Sequence, residues 1–212
     1  MTLLVATTNP GKIREIRHVL EGAVDGLRLL TLAELPGVAE PEETGLTFAD
    51  NAWLKARYYA EATGQPTVAE DSGLEIDALD GRPGVHSARY PGETYPIKFL
   101  NLYRELAPYS RPWTARYVCA LAVASPPTSG DAEQLFACEA TVQGEIADQP
   151  LGNSGFGYDP IFYYPSYMTT LGNVPDERKL AVAHRGQAFR QLAAWLAGRP
   201  GALAPRINDA RP

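Results

Sequence analysis

The sequence predicts an α/β fold in which helices flank a mixed central sheet, and three observations carry that prediction. The chain opens β-α-β, its middle holds two long apolar stretches joined by turn chemistry, and helical periodicities recur between and after them. At ~150 residues per domain, 212 residues ask for one large domain or a lobed single unit.

Thr2 to Thr7 is an apolar run too short for a helix and reads as a buried strand. After Thr8-Asn9-Pro10-Gly11, residues Lys12 to Glu21 place Ile13, Ile16 and Leu20 on one face, an amphipathic helix stopped by Gly22. Leu27 to Leu32 is the second strand. Ala39 to Gly45 is acidic and loop-like. Thr47, with Asp50 three residues on, then caps a helix through Phe48, Ala52, Ala56, Tyr59 and Ala60 to Gly64. Pro66 leads a strand into Val68-Ala69, and Leu74 to Ala78 alternates as another, with Glu70-Asp71-Ser72-Gly73 standing between them. Ile97, Leu100, Tyr103 and Leu106 mark a third helix. Thr114 to Ala124 and Gln134 to Ile146 read as paired strands around the connector Ser125 to Asp131. Ile161-Phe162-Tyr163 is a strand. Glu177 to Val182 and His184 to Ala197 are a short and a long helix, so the domain spans 1–197, and 198–212 is a Pro-rich tail expected to be mobile.

Composition excludes several classes. Hydrophobic residues at 45% and charged residues at 21% are those of a globular chain, which excludes intrinsic disorder. The balance 19 − 25 = −6 argues against wrapping a nucleic-acid backbone, while leaving room for a local basic pocket for one small anion. The longest apolar run, Val118 to Ala124, is far below the ~20 residues of a membrane helix, and Met1-Thr2-Leu3-Leu4 lacks the basic start of a secretory signal. Cys119 and Cys138 cannot by themselves make a disulfide scaffold or a zinc site. They read as buried thiols of a cytoplasmic protein.

Four groups of residues carry candidate chemistry. Thr7-Thr8-Asn9-Pro10-Gly11-Lys12 joins a strand end to a helix start, where unpaired N–H groups, the helix dipole and a lysine attract anions. It lacks the spacing of a Walker A loop and also reads as an ordinary turn. Glu42-Glu43-Thr44-Gly45 and Glu70-Asp71-Ser72-Gly73 offer the hard oxygens that Mg²⁺ takes alongside water and phosphate. Asp71 is the member favoured for function, as base or ligand, whereas Glu42 alone reads as a solvated turn. Ser154-Gly155-Phe156-Gly157-Tyr158-Asp159-Pro160 sets two aromatics around a glycine, a stacking platform with Asp159 able to accept from a base N–H; the competing reading puts the aromatics in the core. Lys179 and His184-Arg185-Gly186-Gln187 place basic groups where anions or carbonyls bind, and standing alone they are a solvated face. His18 and His86 are assigned no function.

Taken together, these segments resemble the inosine triphosphate pyrophosphatases, the non-standard purine nucleoside triphosphate pyrophosphatases. The resemblance is carried in order by Thr7–Lys12, Glu42–Phe48, Asn51-Ala52-Trp53-Leu54-Lys55-Ala56 and Glu70–Leu74. It continues through Pro83-Gly84-Val85-His86-Ser87-Ala88-Arg89-Tyr90, Phe156–Phe162 and Ala183–Ala188. Thr8 stands where glycine is common and Glu70 where aspartate is common, and the tail after Gly198 lies outside the match.

The resemblance implies an elongated, two-lobed α/β fold of the Maf/Ham type with its site in a cleft, and a cytoplasmic homodimer. It implies Mg²⁺-dependent hydrolysis of ITP, dITP and XTP at the α–β phosphoanhydride to monophosphate and pyrophosphate. That activity keeps these nucleotides out of DNA and RNA. Carried over by position, Thr7, Thr8, Asn9, Pro10, Gly11 and Lys12 hold phosphate. Asp71 is general base and metal ligand, Glu43 or Glu42 supports the metal, and Lys55 and Ser72 reach phosphate or water. Phe156, Gly157, Tyr158 and Asp159 form the base pocket, closed by Lys179, His184 and Arg185, of which one of the last two meets the 6-oxo group. A non-catalytic nucleotide-binding module and a Maf-like enzyme are the rival readings.

Overall fold

The structure, a computed structural model, describes residues 1–127 and 130–203. Thr128 and Ser129 of the connector, and 204–212 of the expected tail, lie outside the described residues. Residues 198–203 form a turn in which Arg199 N–H donates to Leu196 O and Leu203 is buried.

Seven strands hydrogen-bond in the order β2-β1-β3-β4-β5-β6-β7. They are β1 (Thr2–Val5), β2 (Arg28–Thr31), β3 (Thr67–Ile76), β4 (Thr114–Ala124), β5 (Gln134–Ile146), β6 (Phe162–Tyr164) and β7 (Thr169–Thr170). β1 runs parallel to β2 and β3, whereas β5-β6 and β6-β7 are antiparallel, so the sheet is mixed as expected. The helices are α1 (Pro10–Leu20), α2 (Phe48–Thr63), α3 (Tyr95–Leu106), α4 (Asp176–Val182) and α5 (His184–Ala197).

The chain divides into two compact units. The first takes Met1–Asp71, Ala120–Glu139 and the described residues from Ala188 onward. It holds α1, α2 and α5 from Ala188, and its fully buried side chains include Leu3, Leu4, Ile16, Leu20, Leu121 and Phe189. The second takes Ser72–Cys119 and Ala140–Gln187, and it clusters Leu74, Ile76, Leu102, Leu106, Tyr158 and Phe162 in its core. Each such apolar side chain contributes about 1.5–3 kcal/mol by leaving water. Among the described residues no helix is long and apolar enough to cross a membrane, and neither Cys119 nor Cys138 forms a disulfide.

The ends of α2 show local sequence setting local structure. Thr47 Oγ1 accepts from Asp50 N–H at 3.1 Å and Asp50 Oδ2 accepts from Thr47 N–H at 3.1 Å, a reciprocal capping box, and Gly64 closes the helix at φ 65°. Replacing Thr47 by Ala is expected to cost about 1 kcal/mol, read as a melting temperature lower by about 2–4 °C. A variant that melts with the wild type would remove the box from the stability of α2.

Three expectations are corrected. Glu70 to Gly73 do not separate two strands but lie inside the continuous β3, whose carboxylates are tolerated there because lysines meet them. On α3 the inward face is Phe99, Leu102 and Leu106 together with Lys98, while Ile97 and Leu100 are 42% and 56% exposed. Lys98 is admitted to that face because its ammonium donates to Ala88 O at 2.5 Å. Ile161 closes a 3₁₀ turn (Asp159–Ile161) ahead of β6 rather than starting the strand.

Candidate active site

In the first unit, α1 begins one residue after Asn9, whose Oδ1 accepts from Gly11 N–H at 2.9 Å and Lys12 N–H at 3.2 Å. Pro10 carries no N–H. The first-turn donors expected to meet an anion are therefore held by the Asn9 side chain, and Thr7 Oγ1 accepts from Asn9 N–H. Thr8, Asn9 and Pro10 are exposed. Lys12 Nζ lies 2.8 Å from Glu70 Oε1, so the longer acid at that position reaches the loop lysine from β3.

Asp71 sits on the same strand, 6% exposed. Its Oδ2 accepts from Asn51 Nδ2 at 3.1 Å and its Oδ1 lies 3.4 Å from Lys55 Nζ, which also donates to Glu43 Oε1 at 2.5 Å. Asn51 and Lys55 are one helical turn apart on α2 and present one face to β3. Burial pushes the Asp71 carboxyl above the ordinary range, with Lys55 opposing, Glu43 reinforcing, Lys12 opposing and Glu70 reinforcing. For Lys55 burial is the largest influence and works against its charge, yet Asp71, Glu43 and Glu70 more than offset it and the pKa is raised.

Between the two glutamates that the sequence left open, the structure brings Glu43 to Asp71. Glu42 is exposed, and no ion pair joins it to the cluster among the described residues. Asn51 was missed as a site residue, although an amide one helical turn before Lys55 was a legible spacing. It also fixes the Glu43 loop, because its Oδ1 accepts from Gly45 N–H at 2.8 Å. A Cβ on Gly45 would stand 2.6 Å from that oxygen, so only glycine fits.

No group of three or more acidic, histidine or cysteine side chains forms a ready cage among the described residues. The donor set nevertheless fits a hard divalent ion, since Glu43 and Asp71 already share one cation, the Lys55 ammonium, and Glu70 stands next to Asp71. Magnesium needs only one or two carboxylates when substrate and water supply the rest.

The second unit brings aromatic and basic side chains together. Phe156 is half-buried, with Lys179 Nζ at 4.7 Å and Arg185 Cζ at 5.3 Å from its ring centre. Arg185 also donates to Ser72 Oγ at 2.9 Å. Asp159 Oδ2 accepts from Lys179 Nζ at 2.5 Å and Phe156 N–H at 2.8 Å, and Oδ1 accepts from the Tyr117 hydroxyl at 3.4 Å. These bonds turn Asp159 from the expected acceptor of a base N–H into the organiser of its own loop. Gly155 belongs to the same device: at φ 72°, its added Cβ would clash with Asp159 Oδ2.

Tyr158 is likewise corrected. It is 4% exposed, meets Tyr95 edge-on at 5.3 Å and donates to Ser87 O, so its ring is core and, of the two aromatics, Phe156 is the one left half-buried. Gly157 turns the chain at φ 67° between them. His184 is buried and stacks on Tyr117 at 4.6 Å, and Tyr117 stacks on Phe162 at 4.3 Å. Nothing in the local sequence marked Tyr117, because its partners come from elements 42 and 67 residues away.

The chain is similar to known proteins along nearly its whole length. A family model described as the Ham1 family matches residues 3–195. The dITP/XTP pyrophosphatase of a Nostoc species is 45% identical over 190 residues, covering 90% of this chain and 91% of its own. That of a Listeria monocytogenes strain is 42% identical over 200 residues, covering 92% and 94%. A HAM1 protein structure from Coxiella burnetii superposes with a TM-score of 0.83 at 36% identity, covering 94% of this chain and 100% of that one. The Staphylococcus aureus Ham1 protein gives 0.79 at 36% identity, covering 93% and 99%. Matched by the family model almost from end to end, and sharing fold and sequence with these proteins, the chain belongs to the Ham1 family.

Proposed function

We propose that the chain hydrolyses ITP, dITP and XTP between the α and β phosphorus atoms, releasing the nucleoside monophosphate and pyrophosphate. The observation that carries this reading is the buried Asp71, fixed by Asn51 and faced by Lys55 and Glu43, in a chain whose relatives are named dITP/XTP pyrophosphatase. A carboxylate with a raised pKa, oriented by an amide, is suited to take a proton from water.

In this reading Asp71 orients a water toward phosphorus and receives its proton as the new P–O bond forms and the bridging P–O bond breaks. Lys12 and Lys55 offset the anionic charge that accumulates, since positioning and charge neutralisation carry most phosphoryl-transfer catalysis. Glu43 and Asp71, with Glu70 beside them, would hold Mg²⁺, which supplies Lewis-acid neutralisation of the phosphate oxygens. Thr7 to Lys12 contribute the loop around the phosphates, and Ser72 positions Arg185. Phe156 grips the purine, with Lys179 and Arg185 at its ring and His184 or Arg185 donating to the 6-oxo group. Cytoplasmic residence and a homodimer belong to the same reading and rest on the family resemblance.

Phosphorus NMR of Mg²⁺ reactions with ITP, GTP and ATP tests the activity. Pyrophosphate from ITP alone is expected. Orthophosphate would mean a different bond, and no product would favour a non-catalytic nucleotide-binding module. Phe156→Ala is expected to raise KM for ITP about tenfold or more, the value of one lost stacking contact. Pyrophosphate inhibition should stay as it was, and equal effects on both would remove Phe156 as the platform.

A further inference from the structure

The segment Pro83 to Tyr90 is part of the family resemblance, yet the reading above gives it no task. It folds as 3₁₀ turns over Gly84–Arg89, and at its centre Ser87 is 5% exposed. Ser87 Oγ accepts from Leu74 N–H at 2.8 Å and donates to Gly84 O at 2.6 Å. Its backbone carbonyl accepts from the Tyr158 hydroxyl at 2.8 Å. The next carbonyl, that of Ala88, accepts from the buried Lys98 ammonium at 2.5 Å, which ties the segment to α3.

The far ends of these bonds matter more than their number. Leu74 lies two residues beyond Ser72, the partner of Arg185, and Tyr158 lies two residues beyond Phe156. We propose that Ser87, through its hydroxyl and its carbonyl, is a positioning residue that sets purine selectivity by fixing the Phe156 platform relative to the Ser72–Arg185 donor. The inference rests on the functional reading above.

The physical argument is geometric. A stacked ring is held without regard to its substituents, so selectivity between a 6-oxo and a 6-amino purine lies in where the edge donor stands relative to that ring. Hydrogen bonds bend over tenths of an ångström, and the donor and the platform come from segments far apart in sequence. Apolar packing resists compression but carries no direction, whereas Ser87 supplies two directed bonds, one to each segment. Lys98 keeps the Ser87 turn from shifting along α3.

The test uses Ser87→Ala and Tyr158→Phe, the second because it deletes one bond while keeping the ring and its edge contact with Tyr95. Both are measured below their melting transitions, by calorimetric titration with IMP without metal and by kinetics on ITP and ATP. Expected are an IMP Kd and an ITP KM raised about tenfold, the loss of one buried hydrogen bond, with kcat within about threefold. Preference for ITP over ATP in kcat/KM should fall by a similar factor, while pyrophosphate inhibition stays put. A merely structural brace would lower stability and leave that preference intact; an unchanged preference in both variants overturns the inference. The wild type is the separate control, for if it neither binds IMP nor prefers ITP, the functional reading itself fails.

Discussion

Asp71→Asn is expected to lower kcat by about 10²–10⁴-fold, the range a positioned general base contributes. The substitution is nearly isosteric. An amide oxygen can still accept from Asn51 Nδ2, and Lys55 keeps Glu43 at 2.5 Å, so neither α2 nor the Glu43 loop loses its anchor. Burial opposes the Asp71 charge, so its removal should change the melting temperature little. The pH dependence has a definite sign. Because burial and Glu43 outweigh Lys55 and Lys12, the Asp71 carboxyl of the metal-free protein should titrate above the ordinary carboxylate range, and kcat/KM should show an acid limb in which activity is lost as the base is protonated. For stability the same raised pKa means the folded state binds the extra proton. Its contribution is then greatest below the unfolded carboxyl pKa and declines as pH rises through the folded one. Turnover near that of the wild type in Asp71→Asn would take this residue out of the mechanism. An acid limb that survives the substitution would assign the titration to Glu43 or Glu70.

Elements whose signals are local were legible. β4, β5 and α5 begin and end where alternation, connector chemistry and periodicity place them, and the Thr47–Asp50 box and Gly64 bound α2 as read. What was not legible depends on partners distant in sequence. A carboxylate pair inside a strand looks like a break until Lys12 and Lys55 arrive from α1 and α2. The face of α3 is misread for a related reason, since Lys98 is drawn inward by a carbonyl on the Ser87 turn while Ile97 and Leu100 stay out. In the loop from Ser154 to Pro160 the side-chain directions were not legible. Asp159 turns toward Lys179 and Phe156 N–H, and Tyr158 toward Ser87. Side-chain direction at a buried polar position is a property of the assembled core, so the sequence nominates such residues without saying which way they face.

The largest stability effect should come from the Lys179–Asp159 pair. Its atoms are 2.5 Å apart with side chains 2% and 3% exposed, so water screens neither charge. Lys179→Met leaves the Asp159 carboxylate with Phe156 N–H and the Tyr117 hydroxyl but without that ammonium, and is expected to cost about 3–5 kcal/mol. In a chain of this length that is a melting temperature lower by about 6–20 °C. The penalty should shrink as pH falls, because protonating Asp159 removes the uncompensated charge. Adding Asp159→Asn should restore most of the stability, since its amide oxygen can still accept from Phe156 N–H while carrying no charge. The double variant should nonetheless keep a raised KM for ITP, because no cation then stands 4.7 Å from the Phe156 ring on the Lys179 side. The two readouts separate two roles of one lysine. If Lys179→Met melts with the wild type, the pair is not what holds the loop. If the double variant recovers KM along with stability, Lys179 serves the Phe156 loop only by neutralising Asp159, and the cation that matters at the Phe156 ring is Arg185.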